Sequence, residues 1–273
     1  MSLGSIIGFV VPVFIVHVED EDNPKVGREH VTQYMYIQAG IATVTCTLLL
    51  ILAKNKPPTP PSIAAGKPAV KFDFKEQFLV LAKNRNYVLL CVIFGCLYAN
   101  TGALSAVISS ITKPYDFEPK DNSIMGSIFI ISGIFGSFTG GLLLDKFSKF
   151  KISVIIVSFI GMIFYGLLMI SIPSGKLIFA AINFGLIGFF VVPILPICFT
   201  FAVELSYPAP EAMSNGMMLL ISKIYGAVLG IGAGKLSEKN PYYSIGLFVM
   251  NAVIAAIFSF LVKEDLRRLK MTH

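Results

Sequence analysis

The clearest candidate for solute chemistry is a single basic side chain inside a long apolar segment. Lys223 lies near the middle of the apolar run over residues 212–235. If that run crosses a membrane, a lysine there costs about 2.5–3.5 kcal/mol on insertion scales. Such a cation is typical of a side chain that faces a cavity and meets an anionic solute group or takes part in proton coupling. Two alternatives stay open: the side chain snorkels, or it pairs with a group on a helix that this chain lacks.

Other polar residues interrupt the apolar runs and are weaker candidates. Asn100 and Asn183 could contact a solute, and so could Thr101, Ser222 and Asn251. Polar side chains inside membrane spans also hydrogen-bond neighbouring helices, and this packing role is the more common one. Asn100 and Asn183 are therefore candidates for contact with the solute, and the alternative is that each forms a hydrogen bond to a neighbouring helix.

The elements that must hold these side chains are membrane helices. The chain is 55% hydrophobic and 14% charged, and its mean hydropathy is +0.76, which indicates an all-α membrane protein with several spans. The net charge of +6 comes from bases in loops rather than from a nucleic-acid-binding patch. The expected partners are the lipid bilayer and a small solute, with no nucleic acid. The sequence predicts eight spans, at about 3–18, 31–53, 87–112, 122–144, 152–171, 177–203, 212–235 and 242–262.

The distribution of Lys and Arg gives an orientation. Most of the bases lie in the segments 54–86, 146–151 and 263–270, while the acidic run Glu19–Asp22 lies on the other side. The positive-inside rule then places both termini in the cytoplasm, and we expect the plasma membrane rather than an organelle. The first span is short and broken by Pro12, so we expect a form that is truncated at its N-terminus.

The sequence contains none of the motifs that carry common enzyme chemistry. There is no Walker loop, no zinc-ligand spacing and no nucleophile elbow. The four cysteines lie in apolar runs without a C-x-x-C pair, and the three histidines lie at span ends or outside the spans. We therefore expect neither an enzyme nor an ATP-driven pump, and no metal or cofactor.

A loop between two apolar runs gives the first resemblance. Residues 140–151 read GGLLLDKFSKFK, which resembles the cytoplasmic signature loop of the major facilitator superfamily. The resemblance implies a partial major facilitator fold with about eight of twelve transmembrane helices. On this alignment residues 1–53 are the last two helices of the N-terminal bundle, 54–86 a Pro- and Lys-rich cytoplasmic linker, and 87–273 the complete C-terminal bundle with its tail.

A second segment is more specific. Residues 188–211 read GFFVVPILPICFTFAVELSYPAPE, which is similar to a segment of the feline leukaemia virus subgroup C receptor family of facilitators. Residues 3–12, 83–95 and 263–268 agree with the same family. The resemblance implies transport of haem, choline or ethanolamine.

The resemblance also indicates where a solute would bind. Lys223 stands where the family has a glutamine that lines the solute site, Ser105 stands where it has a cavity tyrosine, and Thr200 stands where it has a glutamate. A fixed cation repels a quaternary ammonium, and the aligned aromatic of a choline cage is absent. These departures put choline in doubt and leave room for a larger or anionic solute such as a porphyrin.

The same alignment implies a cytoplasmic gate. In facilitators the signature-loop carboxylate, here Asp145, meets the N-terminal end of a helix whose dipole favours an anion. Lys146 and Lys149 could then pair with Glu204 or Glu211. The alternative is a solvated turn whose lysines only obey the positive-inside rule.

The leading hypothesis is therefore a facilitator-type transporter that works by alternating access, with its solute undetermined. The competing hypothesis is a non-transporting short form, or an incomplete gene product, that acts only as a membrane partner or regulator.

Overall fold

The computed structural model describes residues 24–52, 74–147 and 149–264, without the side chains of a few helix residues, Asp145 among them. All the regular structure in these ranges is helical, which confirms the all-α membrane class. The helices are α1 Pro24–Leu52, α2 Phe74–Lys83, α3 Arg85–Thr112, α4 Pro119–Phe147, α5 Phe150–Ser171, α6 Leu177–Val191, α7 Ile194–Ser206, α8 Glu211–Lys239 and α9 Pro241–Leu261.

The predicted spans correspond closely to these helices. Seven segments of the described ranges are long and apolar enough to cross a membrane. They match the predicted spans from 31–53 onward, whereas the predicted span 3–18 lies outside the described residues. The linker predicted over 54–86 is described only from residue 74, so the domain boundaries stay predictions.

The chain divides into two compact units, residues 10–74 and the remainder. The first unit is described through α1, whose threonines bond back to its own backbone. Thr43 and Thr47, for example, each donate a hydroxyl hydrogen bond of 2.8 Å to the carbonyl four residues earlier. A hydroxyl satisfied within its own helix needs no water, which suits a membrane span.

The predicted span 177–203 is a broken helix rather than a continuous one. α6 ends at Val191 and α7 begins at Ile194, because Pro193 has no N–H to donate to the carbonyl of Phe189. Pro196 likewise cannot bond the Val192 carbonyl, which accepts from the amide of Leu195 at 3.2 Å instead. Because the whole run is apolar, its hydropathy does not indicate this break.

In the second unit the closest helix pairs are α4 with α6 and α3 with α8. Glycines permit the first approach: a Cβ at Gly136 would overlap the backbone carbonyl of Phe189, and one at Gly188 would overlap that of Phe129. Alanine and glycine permit the close approach of α3 and α8, since a Cβ at Gly226 would lie 3.4 Å from the Cβ of Ala99. α9 packs against both α3 and α5 and completes the bundle.

Hydrogen bonds join several helix ends at one end of this bundle. Asn84 caps α3 by accepting from the amide of Tyr87 at 3.2 Å, and it donates to the Leu205 carbonyl at 2.8 Å. The Tyr87 hydroxyl donates to the Ser214 carbonyl at 2.6 Å. We call this set of contacts the end clamp; it fixes the start of α3 to the end of α7 and the start of α8.

Candidate functional site

A cleft lies between α3 and α8 on the surface of the bundle. It has a volume of about 530 Å³, which is within the range of small-molecule sites. Much of its lining consists of small residues, which leave open space where two helices cross closely. The small residues include Ala99, Gly102, Ala103, Gly226, Ala227 and Gly230.

Lys223 lines this cleft and is exposed. Its Nζ lies 4.9 Å from the centroid of the Tyr98 ring, within the range of a cation–π interaction. Within the described part of the chain no acidic side chain pairs with Lys223. In the described structure the Lys223 side chain therefore rests on an aromatic face without an acidic partner.

Two further rings hold Tyr98 in place. Phe94, one helical turn earlier, stacks on it with centroids 4.9 Å apart and an interplanar angle of 13°. Phe199 of α7 lies 5.9 Å from Phe94 in a tilted arrangement. The ring beneath the Lys223 ammonium is thus fixed by packing that extends across to the helix after the Pro193 break.

Ser222 adds a hydroxyl to the same cleft. Its side chain is 1% exposed, it lines the cleft, and its Oγ has no hydrogen-bond partner. A buried polar atom without a partner is uncommon in native proteins. The cleft therefore combines a cation and an aromatic face, with an unpartnered hydroxyl buried in its wall.

The other predicted solute contacts are not part of this cleft. Ser105 donates to the Thr101 carbonyl at 2.9 Å and borders a gap of about 10 Å³ near α4 and α6. Thr200 is exposed on α7 and donates to the Pro196 carbonyl at 2.9 Å. The structure brings neither residue together with Lys223.

Asn100 and Asn183 make hydrogen bonds between helices. Asn100 of α3 is fully buried and donates to the Phe248 carbonyl of α9 at 2.8 Å. Asn183 of α6 donates to the Ser171 hydroxyl of α5 at 3.0 Å. These contacts favour the packing role that the sequence left open beside the solute-binding one.

The predicted gate residues lie near the start of α5 and the start of α8. Lys146 and Lys149 are exposed, Glu211 is exposed in the first turn of α8, and Glu204 is 7% exposed in the last turn of α7. The side chain of Asp145 is outside the described structure, so the latch between these groups stays a prediction.

Tyr98 is the site residue that the sequence reasoning missed. In the sequence it is one aromatic residue among many in an apolar run. Its spacing of four from Phe94 was the available signal, because side chains at i and i+4 meet on a helix face. The contact with Lys223 joins two distant parts of the chain and depends on the packing of α3 against α8.

The family model described as Major Facilitator Superfamily matches residues 1–214. The chain is 31% identical to the choline/ethanolamine transporter flvcr2a of Danio rerio over 98% of this chain and 58% of that protein. It is 32% identical to the choline/ethanolamine transporter FLVCR2 of Homo sapiens over 98% of this chain and 52% of that protein.

An uncharacterized MFS-type transporter of Caenorhabditis elegans is 31% identical over 98% of this chain and 46% of that protein. The chain thus spans about half the length of the curated relatives it matches. The match to the family model covers most of the chain, and the helical bundle with its signature loop agrees with it. The chain belongs to the major facilitator superfamily.

Proposed function

We propose that this chain is itself an alternating-access solute transporter of the plasma membrane, with both termini in the cytoplasm. The observation that carries the proposal is the cleft between α3 and α8, where Lys223 rests on Tyr98. Transporters of many folds bind their solute near the middle of the membrane, between helices that move relative to each other. Lys223 is about 18 Å along α8 from its first residue, which is mid-span.

A water-filled pathway is the environment that suits Lys223. An ammonium that faces hydrocarbon is costly, and intramembrane lysines accordingly face bundle interiors or water-filled cavities. Snorkelling explains Lys223 poorly, because the aliphatic stem is short compared with the distance to either end of α8. The exposed side of α8 that carries Lys223 is therefore the side we assign to the solute pathway.

The candidate solutes come from the relatives and from the family resemblance. Choline and ethanolamine are the solutes in the names of the relatives, and haem comes from the resemblance. In this proposal Ser105, Thr200, Asn100 and Asn183 act later in the transport cycle or in packing, because they lie outside the cleft. Asp145, Lys146, Lys149, Glu204 and Glu211 form the proposed cytoplasmic gate.

The test is uptake and efflux of labelled choline, ethanolamine and haem by cells that express the chain, beside mock-transfected cells. Lys223→Gln should change the transport of at least one of these solutes. Lys235→Gln is the matched control, since Lys235 is an exposed lysine near the end of the same helix. It should leave transport unchanged.

The competing role predicts a different outcome. A chain that acts only as a membrane partner would transport none of the three solutes alone. It would instead change the uptake by a full-length relative expressed in the same cell. That pair of results would overturn the transport proposal.

A further inference from the structure

We infer that the cleft between α3 and α8 binds its solute through an anionic group, a carboxylate or a phosphate, held by Lys223 and Ser222. The inference deepens the proposed function, because it names the class of solute for the same site. Its binding test is independent of transport.

The charge of Lys223 favours an anionic ligand. The acidic residues of α8, Glu211 and Glu238, lie about 18 and 22 Å along the helix from Lys223. In the described part of the chain Lys223 has no acidic partner, and its recorded contact is the Tyr98 ring. Beside a protein surface the effective dielectric is below that of bulk water even in a water-filled cleft, so a cation without an acidic partner attracts an anionic ligand more strongly there than it would in free solution.

The hydroxyl of the preceding residue, Ser222, favours the same class of ligand. Ser222 is buried, lines the cleft, and leaves its Oγ without a partner. A hydroxyl can donate to a carboxylate or phosphate oxygen while the lysine contributes its charge. The Oγ is buried in the cleft wall, so a turn of the Ser222 side chain toward the cleft would let a bound anion satisfy both groups at once.

The aromatic face of Tyr98 disfavours a cationic ligand. A quaternary ammonium is recognised by aromatic rings, and the exposed face of Tyr98 in this cleft already carries the ammonium of Lys223. Choline would have to displace that group and then remain beside its charge. An anionic solute meets the lysine without competing for the ring.

The source of the anion is a soluble solute rather than a lipid headgroup. Headgroups lie at the ends of membrane spans, whereas Lys223 is near the middle of its helix. The site therefore selects among small solutes that enter the cleft from water.

The test is equilibrium binding to the full chain, purified in a maltoside detergent whose headgroup carries neither phosphate nor carboxylate. The probes are labelled phosphocholine and succinate, with choline for comparison. We expect at least one of the two anions to bind more tightly than choline. Lys223→Gln should weaken that anion by roughly tenfold to a hundredfold and strengthen choline binding.

Two variants and one control sharpen this result. Lys223→Arg keeps the charge and should stay within about threefold of the parent, which shows that loss in Lys223→Gln is not misfolding. Ser222→Ala should weaken the anion by roughly threefold to tenfold. Lys235→Gln, a lysine outside the cleft, should bind like the parent.

Three results would overturn the inference: neither anion binds, Lys223→Gln binds the anion as tightly as the parent, or the parent prefers choline. Choline uptake that does not depend on Lys223 would also overturn it and would leave the transport proposal standing. If the chain binds an anion through Lys223 but transports nothing, the anion inference stands and the transport proposal is overturned.

Discussion

The contact between Gly136 and Phe189 makes a quantitative prediction about the bundle. An alanine Cβ at position 136 would lie 2.7 Å from the carbonyl carbon of Phe189 and 2.8 Å from its Cα, where ordinary contact begins at 3.4 Å. The carbonyl oxygen of Phe189 lies closer still, so the side of α6 must move outward by more than about 1 Å, and a gap of that size forfeits about half or more of each neighbouring dispersion contact. We expect Gly136→Ala to destabilise the bundle by about 1–3 kcal/mol.

Gly141→Ala is the matched control on the same helix. A Cβ at Gly141 meets nothing within 4 Å, so this change should gain up to about 1 kcal/mol of helix propensity and lose no packing. The two variants make the same chemical change, and they differ in the space that receives the new methyl group. A difference in their stability therefore measures the close approach of α4 and α6.

A thiol-reactive dye in a thermal ramp provides the assay, because the chain has no tryptophan. Cys91, Cys96 and Cys198 are buried and react when the bundle opens, while the exposed Cys46 should be replaced by serine beforehand. At about 2–4 °C per kcal/mol, the midpoint of Gly136→Ala should fall by roughly 2–12 °C. A Gly136→Ala protein that melts at or above the midpoint of Gly141→Ala would refute the reasoning.

The remaining predictions concern the gate and the end clamp. Asp145→Asn should lower the transport rate or shift the population of outward- and inward-open states, while membrane insertion stays normal. Uptake measures the first effect and surface labelling measures the insertion. Unchanged uptake would show that the predicted latch does not exist. Tyr87→Phe removes the 2.6 Å hydrogen bond to the Ser214 carbonyl and leaves that carbonyl buried, so the thermal midpoint should fall by the equivalent of about 0.5–1.5 kcal/mol. An unchanged midpoint would mean that water replaces the tyrosine hydroxyl.

Hydropathy predicted the helices well because every backbone group in a membrane must bond within its own segment. It could not predict the break before Ile194, since Pro193 lies in a run as apolar as its neighbours. A proline in a membrane span ends a helix only where the surrounding packing accommodates the freed carbonyl, and here Gly136 provides the space for it.

The candidate site was predictable in part. Lys223 was identified from its position in an apolar run, because an intramembrane charge is costly wherever the helix packs. The sequence could not distinguish a solute contact from a helix contact at Asn100, since both satisfy a buried amide. Tyr98 was missed because its significance depends on which helix lies opposite.

The end clamp also bears on how force passes into the bundle. Asn84 connects the end of α2 to α3 and is bonded to the last turn of α7, while the side chain of Asn86 accepts the amide of Lys263 just beyond α9 at 3.2 Å. Because these hydrogen bonds join the start of α3 to α7, to α8 and to the residue after α9, a displacement of the start of α3 would move these helix ends together rather than separate one helix from the others.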